Sequence, residues 1–205
     1  DEQIEQFLQY YEMLVEKNKV MNLTGITEYE EVIQKHFLDS LSLIRVIPDI
    51  ASQKLTVIDL GTGAGFPGIP LKIAFPELEI TLMDSLNKRI LFLQEVIDAL
   101  GQKKVSAVHG RAEEMSSNAT HRQQYDLCVS RAVSNLAVLT EYCLPFVKKG
   151  GLFVSYKSAD SDAEIQEGKK AISILGGKLT SVDKFQLPDS DLRRALVCIK
   201  KVKDT

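Results

Sequence analysis

Apolar positions at the start of the chain recur with helical spacing. Ile4, Phe7, Leu8, Tyr11, Leu14 and Val15 lie on one stripe and predict an amphipathic helix over residues 2–18. Asn22-Leu23-Thr24-Gly25 breaks that pattern. Thr27 followed by Glu30 has the spacing of a capping box, so a second helix is expected to open there. Its apolar face (Val32, Ile33, Phe37, Leu41, Leu43) runs to about Ile47, with Pro48 as the stop. His36 and Asp39 fall within it; a lone helical histidine is more often structural than functional. No strand pattern occurs in this part, so residues 1–50 are expected to form a helical cap on the segment that follows.

From residue 55 the pattern changes to short apolar runs rich in β-branched residues. Residues 55–60, 78–83, 104–109, 125–130, 151–156, 178–185 and 195–200 read as strands. Helical periodicity separates the first several of them. One helix follows Pro67, a second carries Ile90 to Leu100 and closes at Gly101, a third spans 135–144, and a fourth spans 160–175 and ends at Gly176-Gly177. Residues 116–124 are a polar loop. Strands alternating with helices give an α/β fold whose parallel sheet has right-handed crossovers and helices on both faces. The last two strands form a hairpin through Leu187-Pro188-Asp189, which makes the final strand antiparallel. Residues 51–205 are thus expected to fold as one compact unit with a seven-stranded, mostly parallel sheet.

The most informative stretch is LTVIDLGTGAGFPGIP, residues 55–70. A buried strand ends near Asp59, then Gly61, Gly63 and Gly65 alternate, then prolines open a helix. A strand–glycine–helix turn lets a small molecule lie against bare backbone at the carboxyl end of a parallel strand. The dinucleotide fingerprint places its third glycine where this chain has Phe66. The G-x-G-x-G spacing found instead suits a ligand without a pyrophosphate, such as S-adenosylmethionine. Asp84 closes the second strand about 20 residues beyond the glycines, where nucleotide-type folds hydrogen-bond a ribose diol. Glu113, in Gly110-Arg111-Ala112-Glu113 after the third strand, is placed to meet an adenine amino group, with backbone near Ala112 against the ring. The fourth and fifth strands deliver Arg131 and Lys157 to the same edge.

Composition adds limits. The 205 residues are 44% hydrophobic and 26% charged, ordinary values for a globular protein. No apolar run approaches the roughly 20 residues of a membrane span, and the acidic start lacks a signal-peptide pattern. Cys128, Cys143 and Cys198 stand singly in apolar contexts and are expected to be reduced, as in a cytoplasmic protein. His36, His109 and His121 are scattered, with no metal-ligand spacing, so no metal is expected. A net charge of −3 does not advertise nucleic-acid binding, but a local basic patch can act on an acidic chain. No exposed heptad is visible, so a monomer is the expectation.

DLGTGAGFPGIPL, GRAEE, SRAV, LPFVKKGG and the opening NLT…HFLDSL together resemble the RsmG (GidB) family, bacterial methyltransferases of small-subunit ribosomal RNA. The resemblance runs from about Asn18 to the end of the chain. It implies a Rossmann-like, class I S-adenosylmethionine-dependent fold and methylation of N7 of a guanine in 16S ribosomal RNA, free or in the assembling subunit. It also implies a basic, proline-rich tail beyond Thr205. Carried over by motif, Gly61, Gly63, Gly65 and Phe66 would contact the cofactor through the glycine turn. Ala112 and Glu113 would hold the adenosine end. Arg131 would contact the cofactor and is the residue assigned a catalytic part. Asn22, His36, Lys157 and Arg194 match positions where the family carries polar residues that face the RNA.

The chemistry agrees with what the chain lacks. Guanine N7 has a lone pair and no proton, so no general base is required, and no triad, carboxylate pair or nucleophile is legible. Positioning can supply a large share of such a barrier. The methylated base is cationic, so Arg131 is expected to serve the cofactor carboxylate or an RNA phosphate rather than the base. Three other readings compete. An NAD-dependent oxidoreductase is opposed by Phe66 in place of the third glycine. A non-catalytic cofactor- or RNA-binding module is opposed by intact cofactor motifs. A methyltransferase acting on a small molecule or a protein is favoured only by the acidic charge.

Overall fold

The computed structural model describes residues 1–132 and 134–205; Val133, the last residue of the SRAV motif, lies outside the described residues. Helix α1 (Glu2–Asn18) has the expected bounds, but of the expected stripe only Leu14 is fully buried; Tyr10, off that stripe, is buried with it, while Ile4 and Leu8 are exposed. The second helical segment opens one residue later than its capping-box pattern suggests. Glu28, not Thr27, caps α2 (Tyr29–Val32), its carboxylate accepting from the N–H groups of Glu30 and Glu31. The segment then widens into a π-helical stretch (Ile33–Leu38), returns to α3 (Asp39–Leu41) and tightens into a 3₁₀ turn (Ser42–Arg45). Such mid-helix widening re-aims side chains. Here His36, Phe37, Asp39 and Ser40 are all buried.

The remainder alternates: β1 (Thr56–Leu60), α4 (Gly68–Ala74), β2 (Glu79–Asp84), α5 (Asn87–Leu100), β3 (Val105–His109), α6 (Ala112–Met115), β4 (Tyr125–Ser130), α7 (Leu136–Cys143), β5 (Val147–Ser158), α8 (Asp162–Ile174), β6 (Gly177–Gln186) and β7 (Arg193–Lys201). The seven strands are ordered β3-β2-β1-β4-β5-β7-β6. The first five are parallel, and β7 lies between β5 and β6, antiparallel to both. Central β1 is covered on both faces, so its side chains from Val57 to Leu60 are all buried, Asp59 included. Strand β5 begins at Val147, earlier than the Lys148-Lys149-Gly150-Gly151 turn signal suggests, and Lys157 lies within it rather than past its end.

Two cores flank the sheet. On one face α4 and α5 pack with the cap, so that Tyr10, Leu14, Val32 and Leu43 share a cluster with Leu71, Leu93 and Val96. On the other face α7 and α8 contribute Leu136, Leu139, Ile165 and Ile172. Polar ties fasten the cap to the sheet: Tyr10 Oη donates to Ala64 O at 2.6 Å, and Tyr156 Oη on β5 donates to Ser40 O at 2.7 Å. Among the described residues no helix is long and apolar enough to cross a membrane.

Candidate functional site

The sheet order reverses between β1 and β4, since the chain runs outward to β2 and β3 before returning to β4's side. Ligands of open α/β sheets bind in the crevice at the carboxyl ends of strands at such a point. A cavity of about 660 Å³ lies there, within the range of small-molecule sites. The ends of β1, β2 and β3 and the starts of α5 and α6 supply Gly61, Asp84, Arg89, Arg111, Ala112 and Glu113. The end of β4, helix α7 and the loop after α1 supply Ser130, Arg131, Tyr142 and Leu23.

The three glycines of the turn all have positive φ, at 69°, 60° and 107° for Gly61, Gly63 and Gly65. Their surroundings differ. A Cβ at Gly61 or Gly63 would meet nothing within 4 Å, so these faces are open to an approaching ligand. A Cβ at Gly65 would lie 2.7 Å from both Ile69 Cγ1 and Tyr10 Oη, so that glycine admits the cap rather than a ligand. Two carboxylates hold the turn. Asp59 Oδ2 accepts from Thr62 Oγ1 at 2.7 Å and from Gly68 N at 2.8 Å. Asp84 Oδ2 accepts from Gly63 N at 2.9 Å, and its Oδ1 accepts from Leu86 N at 3.0 Å. Arg89 Nη1 stands 3.5 Å from both Asp84 oxygens. Burial pushes the Asp59 carboxyl up to about 7, against the Thr62 and Gly68 hydrogen bonds and the charge of Arg131, which lower it. Its Oδ1 is buried without a hydrogen-bond partner, which is the local reason that charge on Asp59 is disfavoured.

Arg131 enters the cavity wall from the end of β4, and the cap holds it. Its Nε lies 3.3 Å from Asp39 Oδ2, its Nη1 donates to Ser40 Oγ at 3.4 Å, and its Nη2 contacts His36 Nδ1 at 3.2 Å. A guanidinium only donates, so His36 Nδ1 is the acceptor and Nε2 carries the proton. That proton goes to Thr24 Oγ1, 2.8 Å away. The imidazole stacks on Phe66, with centroids 4.3 Å apart and planes 10° from parallel. Burial, then the Arg131 charge, lowers His36 to about 3. Burial also lowers Arg131, opposed chiefly by Asp39.

The structure thus brings Gly61, Asp84, Ala112, Glu113 and Arg131 to one cavity. Gly63 and Gly65 lie in the turn without lining it, and the Phe66 ring is buried between His36 and Tyr10. The four residues expected to face RNA are placed otherwise, except one. Asn22 is exposed, beside Leu23. His36 is buried and spends both ring nitrogens inside the protein. Lys157 is buried, donating to Ser134 O at 2.5 Å and lying 2.9 Å from the Glu164 carboxylate. Arg194 Nε donates to Asp39 Oδ1 at 2.8 Å, so Asp39 is shared by two arginines. Sequence reading did not single out Asn18, Thr24, Ser40, Arg89, Arg111 or Tyr142, nor assign Asp39 a role. The partners of Asp39 lie more than 90 positions away, and no local pattern announces them.

Residues 3–196 match the family described as GidB, rRNA small subunit methyltransferase G. The chain is 58% identical over 203 residues to ribosomal RNA small subunit methyltransferase G of Lachnoclostridium phytofermentans, covering 99% of this chain and 83% of that protein. It is 54% identical over 205 residues to the protein of the same name from Alkaliphilus metalliredigens, covering 100% of this chain and 85% of the other. Among solved structures, M. jannaschii TYW2 in complex with AdoMet has a similar fold, with a TM-score of 0.58, 13% identity, and coverage of 78% of this chain and 76% of that one.

Proposed function

The chain belongs to the rRNA small subunit methyltransferase G family, and from that premise we propose that it moves the methyl group of S-adenosylmethionine to N7 of one guanine in 16S ribosomal RNA, at the cavity above β1–β4. The observation that carries this reading is the cavity itself: the open faces of the glycine turn meet a buried aspartate and a clamped arginine where the sheet order reverses.

The residues present fit the cofactor. Each Asp84 oxygen accepts one backbone N–H and a long, 3.5 Å contact from Arg89 Nη1, and a ribose hydroxyl would take the place of that weak contact. Glu113 lines the cavity and makes no side-chain hydrogen bond or ion pair among the described residues, which leaves it for an adenine amino group beside the Ala112 backbone. When bound, S-adenosylmethionine supplies an electrophilic sulfonium methyl. The protein's own task is then to hold the acceptor nitrogen in line with it, and orientation of this kind is worth several kcal/mol, of order 7–11 in the best intramolecular cases. No proton has to leave guanine N7. His36, the histidine nearest to Arg131, has no free basic nitrogen, because Nδ1 accepts from Arg131. Arg131 serves an anionic partner, the cofactor carboxylate or an RNA phosphate. Arg89 and Arg111 at the cavity give the acidic chain a local basic rim for the RNA backbone.

The target guanine must be splayed out or in a loop, since the deep major groove of an A-form helix shields N7. We infer a monomer acting in the cytoplasm on the assembling subunit, with residues 1–50 as a cap on one unit, 51–205. The test is to incubate the protein with labelled S-adenosylmethionine and small subunits from a strain lacking the modification, and to map the label by cleavage at methylated N7. Label at a single guanine is expected. Label confined to a protein or a small molecule, with the RNA blank, would replace this reading with the other methyl-transfer reading.

A further inference from the structure

We infer that His36, with its proton on Nε2, is a positioning residue for methyl transfer. Together with Asp39 it fixes the Arg131 guanidinium at the cavity wall. This rests on the reading that Arg131 works at the transfer site, and goes beyond it by assigning the cap a part in catalysis rather than in RNA contact.

The geometry is that of a clamp. Three donors of Arg131 meet three side chains from a single helical segment, His36, Asp39 and Ser40, at 3.2–3.4 Å. Each restrains a different nitrogen, so the plane of the guanidinium is set rather than only its charge balanced. The histidine is itself fixed in three ways. Its ring lies flat on Phe66, which belongs to the glycine turn. Its Nε2–H donates to Thr24 Oγ1, and that oxygen also accepts from Ile26 N at 3.1 Å, so both of its lone pairs are filled. The loop carrying Thr24 is pinned in turn by Asn18 Oδ1, which accepts from Leu23 N at 2.8 Å and Thr24 N at 3.0 Å.

A continuous chain of contacts therefore runs from Asn18 through Thr24 and His36 to Arg131, and Leu23 on the same loop lines the cavity. Asp39 extends it to Arg194 on β7. The glycine turn, the loop over the cavity and the arginine are set against one another by one imidazole. A residue of any other donor pattern breaks it: a histidine protonated on Nδ1 would present a donor to a donor. The buried, neutral state of the ring suits this use, because it keeps Nδ1 an acceptor throughout the neutral range.

The experiment compares His36→Phe, His36→Gln, Arg131→Met and the double variant His36→Phe/Arg131→Met. It reads kcat and KM for transfer to undermethylated small subunits, with thermal unfolding of each protein. Phenylalanine keeps the ring on Phe66 and loses both hydrogen bonds; kcat is expected to fall about tenfold to a hundredfold, with KM for the subunit within about threefold. Glutamine can accept from Arg131 and donate to Thr24, and is expected to recover most of the loss. The double variant is expected to be no worse than Arg131→Met, since the two residues act as one unit. Equal kcat for His36→Phe and the wild type, or His36→Gln as poor as His36→Phe, would overturn the proposal.

A second measurement needs no variant to fold. Nitrogen NMR of the wild-type histidines is expected to show His36 protonated on Nε2 and unchanged between about pH 5 and 8; an Nδ1–H ring or a titration in that range would overturn the clamp. Should the clamp be seen while Arg131→Met keeps full activity, it is the role of Arg131 in transfer that falls, and with it the catalytic use of the clamp, not its geometry.

Discussion

Glycines two or four residues apart in one turn can be required for unlike reasons, and substitution separates them. Gly65→Ala drives a methyl into Ile69 and Tyr10 and also strains a φ of 107°, so it is expected to cost about 3 kcal/mol of stability, read by urea unfolding. Gly61→Ala meets open space and bears only the left-handed backbone cost, about 1 kcal/mol, so its larger effect is expected in cofactor affinity, read by calorimetry. Asp59 makes stability depend on pH. Its folded value of about 7 lies above its ordinary 3.8, so folding favours the protonated form. That contribution is full below about 3.8 and is lost as pH rises through about 7. His36 acts oppositely. Its folded value of about 3 lies below the ordinary 6.5, so its neutral burial costs nothing above 6.5 and stability is lost as pH falls toward 3. Asp59→Asn is therefore expected to gain stability relative to wild type at pH 8 and to lose that advantage at pH 4. Melting curves at both values check the sign.

At the scale of elements, the cap and the sheet are joined by a few buried polar ties, which is where small changes should register. Tyr156→Phe removes the donor to the Ser40 carbonyl, in the segment that holds Arg131, and is expected to cost about 1–2 kcal/mol in denaturant unfolding. Lys157→Gln breaks a buried link between β5 and α8, and is expected to lower stability while leaving RNA affinity within about twofold. Elements whose pattern is local were legible in the sequence. The stripe from Ile4 to Val15 gave α1 its bounds, and β4 is the run 125–130 that its apolar residues mark. The misses have physical causes. Lys148 to Gly151 carries turn chemistry and falls at a register shift, yet Val147 before it pairs with Tyr125 on β4, which draws that end into β5. The π-helical stretch at 33–38 has no sequence period of its own, so the burial of His36, Asp39 and Ser40 was hidden. Phe66 is expected to contact the cofactor through the glycine turn, and its ring is engaged elsewhere, packing beneath His36.

For the whole molecule, the cavity joins four strand ends with α5, α7 and Leu23 of the cap, so binding should stabilise all of it together. With S-adenosylmethionine at a hundred times its dissociation constant, stabilisation is expected at about 2.7 kcal/mol, or roughly 5–10 °C in melting temperature for a chain of this size. The net charge of −3 means that grip on RNA is local, and binding to the subunit should weaken as salt rises. Which residues would meet at the cavity was half legible: Gly61, Asp84, Glu113 and Arg131 sit at or just past strand ends, where the alternation of elements alone places them. The partners that hold Arg131 come from across the sequence and were not. The most direct measurement is a crystal structure with bound S-adenosylhomocysteine, the demethylated cofactor. The ribose hydroxyls should lie on Asp84, the adenine beside Ala112 and Glu113, and the sulfur should face the Arg131 side of the cavity. A ligand bound at the opposite end of the sheet, or one in this cavity with its ribose away from Asp84, would contradict the assignment.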